Sequence, residues 1–310
     1  MHAFMSRRPY VPSGTSDSGA LPIVFGATLG AAIGAGLVEG FVAQWFSLLL
    51  LFPLVLGGVV GGVGNHFVGK GRARNPLVVG VIGLVMGILS QTVVHVVEYE
   101  RTRSRVAAAL ETNPKAAEFV HEHGIDGAVD AALAGEAGSL PFVGYLRLAA
   151  EQGITITNHG SKGPNLTGGF AYALWLCELL LAGGLAAWMM TGRAKEPFCE
   201  RCDAWYDTEQ VVASGAGDGA SVKATLRRLE GGELVLARDE LGQGDGKSGA
   251  LLVLRGCSRC ADHEPVIELR HVTKLNKKPE TKKVYASLVT QAEAQELRPP
   301  RPVEGAQLAT

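Results

Sequence analysis

Residues 21–69 read LPIVFGATLGAAIGAGLVEGFVAQWFSLLLLFPLVLGGVVGGVGNHFVG, and Glu39 and His66 are the only acidic or basic side chains among them. A helix of about 20 mostly apolar residues crosses the hydrocarbon core of a bilayer, so this stretch is long enough for two spans. Two later stretches, 76–97 and 168–192, contain one acidic or basic side chain each. The sequence therefore predicts a mainly α-helical membrane protein with a four-helix transmembrane bundle, its spans at 21–43, 46–63, 76–97 and 168–190.

A cleaved signal peptide is the alternative for the first span, because Arg7 and Arg8 precede the apolar run. The apolar core of a signal peptide is about 7–15 residues long. The run in this chain is far longer and continues into a second helix, which favours an uncleaved membrane helix.

The composition changes along the chain and predicts six segments. The two ends are polar and rich in proline, serine or glycine, as disordered segments are. The segments are a disordered N-terminal tail at 1–19, three transmembrane helices at 20–98, an extracytoplasmic helical cap at 99–167, the fourth transmembrane helix at 168–191, a small β-rich domain at 192–290, and a disordered proline-rich tail at 291–310.

The basic residues near the ends of the spans predict the orientation of the bundle. With four spans, seven of them fall on one side and three on the other. We therefore expect both termini in the cytosol. The seven are Arg7, Arg8, Lys70, Arg72, Arg74, Arg193 and Lys195, and the three are Arg101, Arg103 and Arg105.

Two Cys-x-x-Cys pairs, Cys199/Cys202 and Cys257/Cys260, are the strongest motif in the chain. Four thiols in two such pairs are the ligands of a structural, tetrahedral zinc site. A redox-active pair and two local disulfides are the alternatives. The pairs are 54 residues apart, against the usual 15–20, which we interpret as an insertion into a zinc-ribbon-like domain. The segments 266–272 and 284–289 alternate around a polar turn and predict a β-hairpin in that domain.

Glycines recur every four residues in the predicted spans. Such stripes let helix backbones approach closely in a membrane. Packing inside one bundle is the favoured interpretation, and a homo-oligomer seam or a pore lining are the alternatives. The main glycines of this glycine-zipper pattern are Gly26, Gly30, Gly34, Gly58, Gly62, Gly83 and Gly87, and Gly36/Gly40 and Gly57/Gly61 have the same spacing.

Four polar residues lie within the spans, namely Glu39, Gln91, His95 and Glu178. Ionisable groups inside a membrane mark functional sites by default. Antiparallel spans bring Gln91 and Glu178 to a similar depth, where they could form a hydrogen bond. One interpretation is a proton or cation relay through Glu178, and the favoured one is a buried carboxyl that fixes helix register.

Three elements of the chain resemble a group of uncharacterised bacterial multi-pass membrane proteins. They are the run VGNHFVGKGRARN at 63–75, the pair Trp175 and Glu178, and PFCERCDAW at 197–205. The resemblance implies the same architecture and a bacterial inner (plasma) membrane. It implies no activity.

No phosphate-binding glycine loop, Ser/His/Asp set or His-Glu-x-x-His motif occurs in the sequence, and we predict that the protein is not an enzyme. Residues 192–310 contain 18 basic and 18 acidic side chains, so no nucleic-acid partner is expected. The leading hypothesis is a membrane-anchored interaction or regulatory protein that presents its zinc domain to a cytosolic protein. The alternative is a small transporter or channel that uses Glu178.

Overall fold

The computed structural model describes residues 9–43, 50–134, 140–158, 161–215, 217–242, 249–260, 264–275 and 278–298. They belong to two compact units. The first, Gly14–Ala194, is called the helical unit below. The second, called the sheet unit, lies within Met1–Ser13 and Lys195–Thr310.

The helical unit contains four helices that are long and apolar enough to cross a membrane, which confirms the number of spans predicted. Two further helices and a two-stranded antiparallel hairpin lie between the third and fourth of them. The elements are α1 (Ala20–Val42), α2 (Leu51–Gly71), α3 (Pro76–Glu111), α4 (Ala117–Ala134), α5 (Pro141–Gln152), β1 (Ile154–Asn158), β2 (Ser161–Leu166) and α6 (Gly169–Ala194).

The second and third helices end later than the sequence suggested. Helix α2 was predicted at 46–63, yet it starts at Leu51 and continues to Gly71, where Arg72 takes a left-handed conformation with φ 54° and ends it. Residues 44–49 lie outside the described part of the chain. Helix α3 runs through the predicted boundary at 98 to Glu111, because no proline interrupts it before Pro114.

Glycines allow α6 to approach α2 and α3 closely. A Cβ atom added to Gly87 would lie 2.5 Å from the carbonyl oxygen of Ala182, and one added to Gly83 would lie 2.9 Å from that of Ala186. Both distances are shorter than a normal van der Waals contact. Gly57 and Gly61 of α2 approach the same two alanines. Gly83 and Gly87 therefore lie at close contacts between α3 and α6.

The glycines of the α1 stripe behave differently. Among the described residues, and apart from the helix's own nearby backbone, no atom lies within 4 Å of a Cβ built on Gly26, Gly30 or Gly34. On α2, Gly58 is equally open, and a Cβ on Gly62 would reach Met189 at 4.0 Å. Gly26, Gly30 and Gly34 therefore make no close contact with the described residues. The reason is that α1 contacts α3 through a different face, on which Gly36 and Gly40 meet Val93 and Val97.

The sheet unit is built on four antiparallel strands in the order β5-β6-β7-β8, and a separate pair of short strands, β3-β4, precedes them. The predicted hairpin is confirmed, because Val266 pairs with Leu288 at its open end. The elements are β3 (Phe198–Cys199), β4 (Ala204–Trp205), β5 (Thr208–Gly215), α7 (Gly219–Glu230), α8 (Leu234–Leu241), β6 (Gly249–Gly256), β7 (Val266–Leu275), β8 (Lys278–Leu288) and α9 (Gln291–Leu297).

One face of this sheet carries the apolar core. Leu252 and Leu254 of β6 and Ile267 and Leu269 of β7 alternate along their strands, and all four are buried against the three helices of the unit. Strand residues two apart share a face. The residues between them therefore point to the opposite side of the sheet.

That opposite side holds a buried charge network centred on Glu268, whose side chain is fully buried. Its carboxylate lies 2.6 Å from Arg270 Nη2, 2.9 Å from Lys283 Nζ and 3.6 Å from Arg255 Nη1. Desolvation opposes ionisation, but Lys283 and Arg270 outweigh it and hold the pKa of Glu268 below its ordinary value. Arg270 also donates to both oxygens of Glu209 at 2.8 and 2.9 Å. The network therefore joins all four strands.

Both tails predicted to be disordered contain ordered residues. Residues 291–297 form α9, in which Thr290 and Glu293 make a reciprocal capping box and Leu297 is fully buried. At the other end, Pro9 pairs with Ser287 of β8. The proline-rich composition that suggested disorder belongs to the residues after this helix, and 1–8 and 299–310 lie outside the described part of the chain.

Candidate functional site

The four cysteines of the two Cys-x-x-Cys pairs meet in one cluster in the sheet unit. The sulfur atoms of Cys199, Cys202 and Cys260 all lie within 4.8 Å of one another, and the Cys257 thiol contacts those of Cys199 and Cys202. None of the four is in a disulfide. The cluster is close enough to hold a metal ion.

Local structure explains why the two pairs converge. The first pair lies on the short hairpin β3-β4, whose turn is closed by Asp203 in a left-handed conformation with φ 49°. The second pair follows directly after β6. The Asp207 carboxylate accepts hydrogen bonds from both the backbone N–H and the hydroxyl of Ser258, which holds the second turn against the end of the first hairpin.

Aromatic residues enclose the cluster. Tyr206 is 4 % exposed and donates to the Glu264 carbonyl at 2.7 Å. The Tyr10 hydroxyl accepts from the Phe198 N–H at 3.1 Å, and Phe198 packs edge to face on Trp205 with ring centroids 5.0 Å apart. Tyr10 and Tyr206 pack in the same buried cluster as the four cysteines.

Two of the thiols have raised pKa values when no cation is bound. Desolvation raises the pKa of Cys199, and desolvation together with the adjacent thiols raises the pKa of Cys202 to about 12. A bound divalent cation reverses this effect, because it stabilises the thiolate and releases the proton. Four sulfurs around one point fit such a cation, since tetrahedral metal–sulfur bonds of about 2.3 Å place the sulfurs about 3.8 Å apart.

The 54 residues between the pairs are more than an insertion. They contribute β5, β6, α7 and α8, which form half of the sheet and much of its core. Helix α7 in this region is capped by the Asp218 side chain, which accepts from the Ser221 backbone N–H. The cluster thus lies beside one end of a four-stranded sheet.

A second candidate site is a cavity of about 470 Å³ in the helical unit. All four polar residues predicted within the spans line it, namely Glu39, Gln91, His95 and Glu178. The cavity lies where α1 ends and α2 begins, and α5 of the cap closes part of it with Tyr145 and Gln152. These four residues lie on three different predicted spans in the sequence, and the fold brings them to one cavity.

One face of α3 forms a long wall of the cavity. Gln91, His95, Glu98, Thr102 and Arg105 all line it, and they follow one another at helical spacings of three or four residues. From Gln91 to Arg105 the wall extends about 21 Å along the helix. The wall changes from acidic and neutral groups at one end to basic groups at the other.

Polar contacts inside the cavity are few. Gln91 donates from Nε2 to Glu178 Oε2 at 3.4 Å, as predicted. Tyr145 donates to Glu98 Oε2 at 3.3 Å, and burial together with the adjacent Glu98 carboxylate raises the pKa of this phenol. His95 packs edge to face on Trp175 with ring centroids 5.5 Å apart.

Glu98, Arg101 and Tyr145 line this site but were not predicted as members of it, because they lie in the predicted cap or at its border. The helical spacing of Gln91, His95 and Glu98 was a usable signal for the first. Nothing local to Tyr145 indicated that α5 would fold back onto the ends of the spans.

No protein-family model, curated protein or solved structure matches this chain. What the protein does must therefore be argued from the two sites themselves.

Proposed function

We propose that this chain is a membrane-anchored interaction or regulatory protein, and that a structural zinc ion holds its sheet unit in the form that binds a cytosolic protein. The carrying observation is the convergence of four reduced thiols at the end of a sheet. We propose zinc as the metal because tetrahedral four-thiolate sites without an open position are typical of structural zinc. Reduced thiols also fit a cytosolic domain.

The first experiment measures zinc per chain in the purified full-length protein. We expect about one zinc per wild-type chain and little in the Cys257→Ser/Cys260→Ser variant. Cys177→Ser is the matched control, because Cys177 lies on α6 outside the cluster, and it should retain the metal. A different bound metal, or none with the thiols still reduced, would contradict the zinc proposal.

The second experiment tests the interaction role by co-purification of proteins with the full chain from membranes. We expect a defined cytosolic partner at fixed stoichiometry with the wild type, and its loss in the double cysteine variant and on chelation. Recovery of the same partner in all three samples would contradict the role of the metal domain.

The proposed setting is the inner membrane of a bacterium, with both termini in the cytosol. The support is the excess of basic residues on one side of the four spans. A reporter that is active only in the cytosol, fused after residue 310, should be active, and one inserted between α4 and α5 should not. The reverse pattern would invert the orientation.

A second candidate function is supported by the cavity of the helical unit. Four intramembrane polar residues line one space, as in a small transporter or channel that uses Glu178. Proteoliposomes with the wild type should then show a cation or solute flux that Glu178→Gln abolishes. Absence of flux in both removes this candidate.

A further inference from the structure

We propose that the cavity of the helical unit binds a primary organic ammonium ion, held by Glu39 and Gln91. This deepens the second candidate function by naming the ligand class of the same cavity, and it rests on that candidate only in treating the cavity as functional. Binding can be measured without flux, so the two ideas can fail separately.

Glu39 is the strongest indication of a ligand. Its side chain lines the cavity, the residue is 9 % exposed, and it forms no hydrogen bond or ion pair with any side chain in the described part of the chain. Burying a carboxyl without a partner is costly. A ligand that brings positive charge and N–H donors removes that cost.

Gln91 provides a second, independent indication. It is 4 % exposed, and its Nε2 is directed to Glu178. The amide oxygen Oε1 is completely buried and has no partner among the described groups. An amide oxygen can only accept. Together with Glu39, it gives the inner part of the cavity two acceptor groups without a partner among the described residues. The ring nitrogen His95 Nδ1 also lacks a hydrogen bond, and the donor Arg101 Nη2 is buried without a hydrogen-bond partner farther along α3.

The charges that line the cavity favour a cation at its inner part. Glu39 and Glu178 lie there, whereas the basic lining residues, Arg101 and Arg105, are ten and fourteen residues beyond Gln91 on α3. That separation corresponds to about 15–21 Å of helix. Glu98, between the two groups, already accepts from Tyr145.

A bare metal ion fits this space less well than an organic cation. Within the described residues, the cysteine cluster is the only place where three or more His, Cys, Asp or Glu ligand atoms lie within 4.8 Å of one another. A dehydrated divalent ion needs such convergence. The cavity of about 470 Å³ is instead large enough for an ammonium group with an apolar body, and Trp175 and Phe52 in its wall offer apolar and aromatic surface for that body.

The hydrogen-bond argument also selects among ammonium ions. A primary ammonium has three N–H donors, which match the acceptors of Glu39 and Gln91, whereas a quaternary ammonium has none. Loss of charge-assisted hydrogen bonds weakens binding by roughly tenfold or more. Tetramethylammonium is therefore the discriminating probe.

The test is calorimetric titration of the full-length protein in lipid nanodiscs with n-butylammonium, tetramethylammonium, Na⁺ and Mg²⁺. We expect saturable binding of one n-butylammonium per chain, at least about tenfold tighter than tetramethylammonium or Na⁺. Glu39→Gln should abolish it. Glu100→Gln should leave it unchanged, because Glu100 is exposed on α3 and does not line the cavity.

Three results would overturn the proposal, namely no saturable binding of the amine, equal binding of tetramethylammonium, or equal binding in Glu39→Gln. Gln91→Met, in which the new side chain is of similar size, is the second variant in case Glu39→Gln does not fold. It should weaken the binding of n-butylammonium. Saturable binding without flux keeps this inference and removes the transport candidate, whereas flux of an inorganic ion without amine binding does the reverse.

Discussion

The sheet unit and the helical unit each bury a carboxylate, but they treat it in opposite ways. Glu268 is surrounded by Arg255, Arg270 and Lys283, so its charge is compensated within the protein. Glu39 lines an open cavity and has no ion-pair partner among the described side chains. The first arrangement links the strands of the sheet. The second leaves the Glu39 carboxylate able to bind a cationic ligand. Burial of an acidic residue is therefore informative only together with its list of partners.

Glycines repeat the same contrast within the helical unit. Gly87 lies in a position where a Cβ would meet the backbone of α6, and Gly30 lies where no described atom is near. Both belong to four-residue repeats in the sequence. The backbone of α6 occupies the space beside Gly87, whereas the space beside Gly30 is open among the described residues.

The largest expected effect is that of Glu268→Gln. Removal of one charge from a buried ion network leaves the remaining charges uncompensated, which costs about 3–5 kcal/mol. We expect a loss of that size in the free energy of opening of the sheet, measured by amide hydrogen exchange on β6 and β7. Glu209→Gln is the control, because Glu209 is 48 % exposed and its loss should cost about 1 kcal/mol or less. Equal effects of both variants would show that burial does not matter here.

Lowering the pH should reproduce part of this loss of stability, because it protonates Glu268. Because the pKa of Glu268 is lower in the folded protein, the unfolded chain takes up the proton first, and the ion network stabilises the fold fully only above the ordinary carboxyl pKa. Stability then falls as the pH decreases through the folded-state pKa. The hydrogen-exchange difference between wild type and Glu268→Gln should shrink over this range, and a difference that stays constant would exclude Glu268 as its source.

Gly87→Ala should destabilise the helical unit by about 1–3 kcal/mol, as overpacking of a close contact does. Gly30→Ala should be neutral or stabilising by up to about 1 kcal/mol, since alanine favours a helix over glycine. Unfolding of the two variants in mixed micelles gives the comparison. Equal destabilisation by Gly30→Ala would indicate that α1 packs on a second copy of the chain through this stripe.

The smallest expected effect is that of Glu39→Gln on stability. The amide has the same shape and removes a charge that no described side chain compensates, so the free energy of unfolding should change by less than about 1 kcal/mol. The thermal midpoint without ligand measures this. A large loss would mean that Glu39 holds the helices together, and it would weaken the case for a ligand.

The elements with a strong one-dimensional signal could be predicted. Uninterrupted apolar stretches predicted four helices long enough to cross a membrane, and the two Cys-x-x-Cys pairs predicted that their thiols meet in one cluster. The alternation in 266–272 and 284–289 predicted the β7-β8 hairpin. Each of these three elements depends on residues that are close together in the sequence. Apolar burial and thiol coordination by such residues do not depend on the rest of the fold.

The partners of buried groups could not be predicted in the same way. Arg255, Glu268 and Lys283 are ordinary charged residues of a chain with balanced charge, and only strand order and register place them side by side. Similarly, the repeat of Gly26, Gly30 and Gly34 predicted a packed face, but helix orientation decided that Gly36 and Gly40 form it instead.

By itself, therefore, the sequence determined that the chain has four spans and a cysteine-bearing domain, because transfer of apolar surface from water and thiolate coordination act on local composition. Only the tertiary structure decided which carboxylate is compensated and which faces an open space. Compensation depends on distances of a few ångströms between residues far apart in the chain, and the path of the backbone alone sets those distances. Glu39 and Glu268 each have apolar residues on both sides in the sequence. Their surroundings in the fold make one a candidate ligand site and the other part of the scaffold.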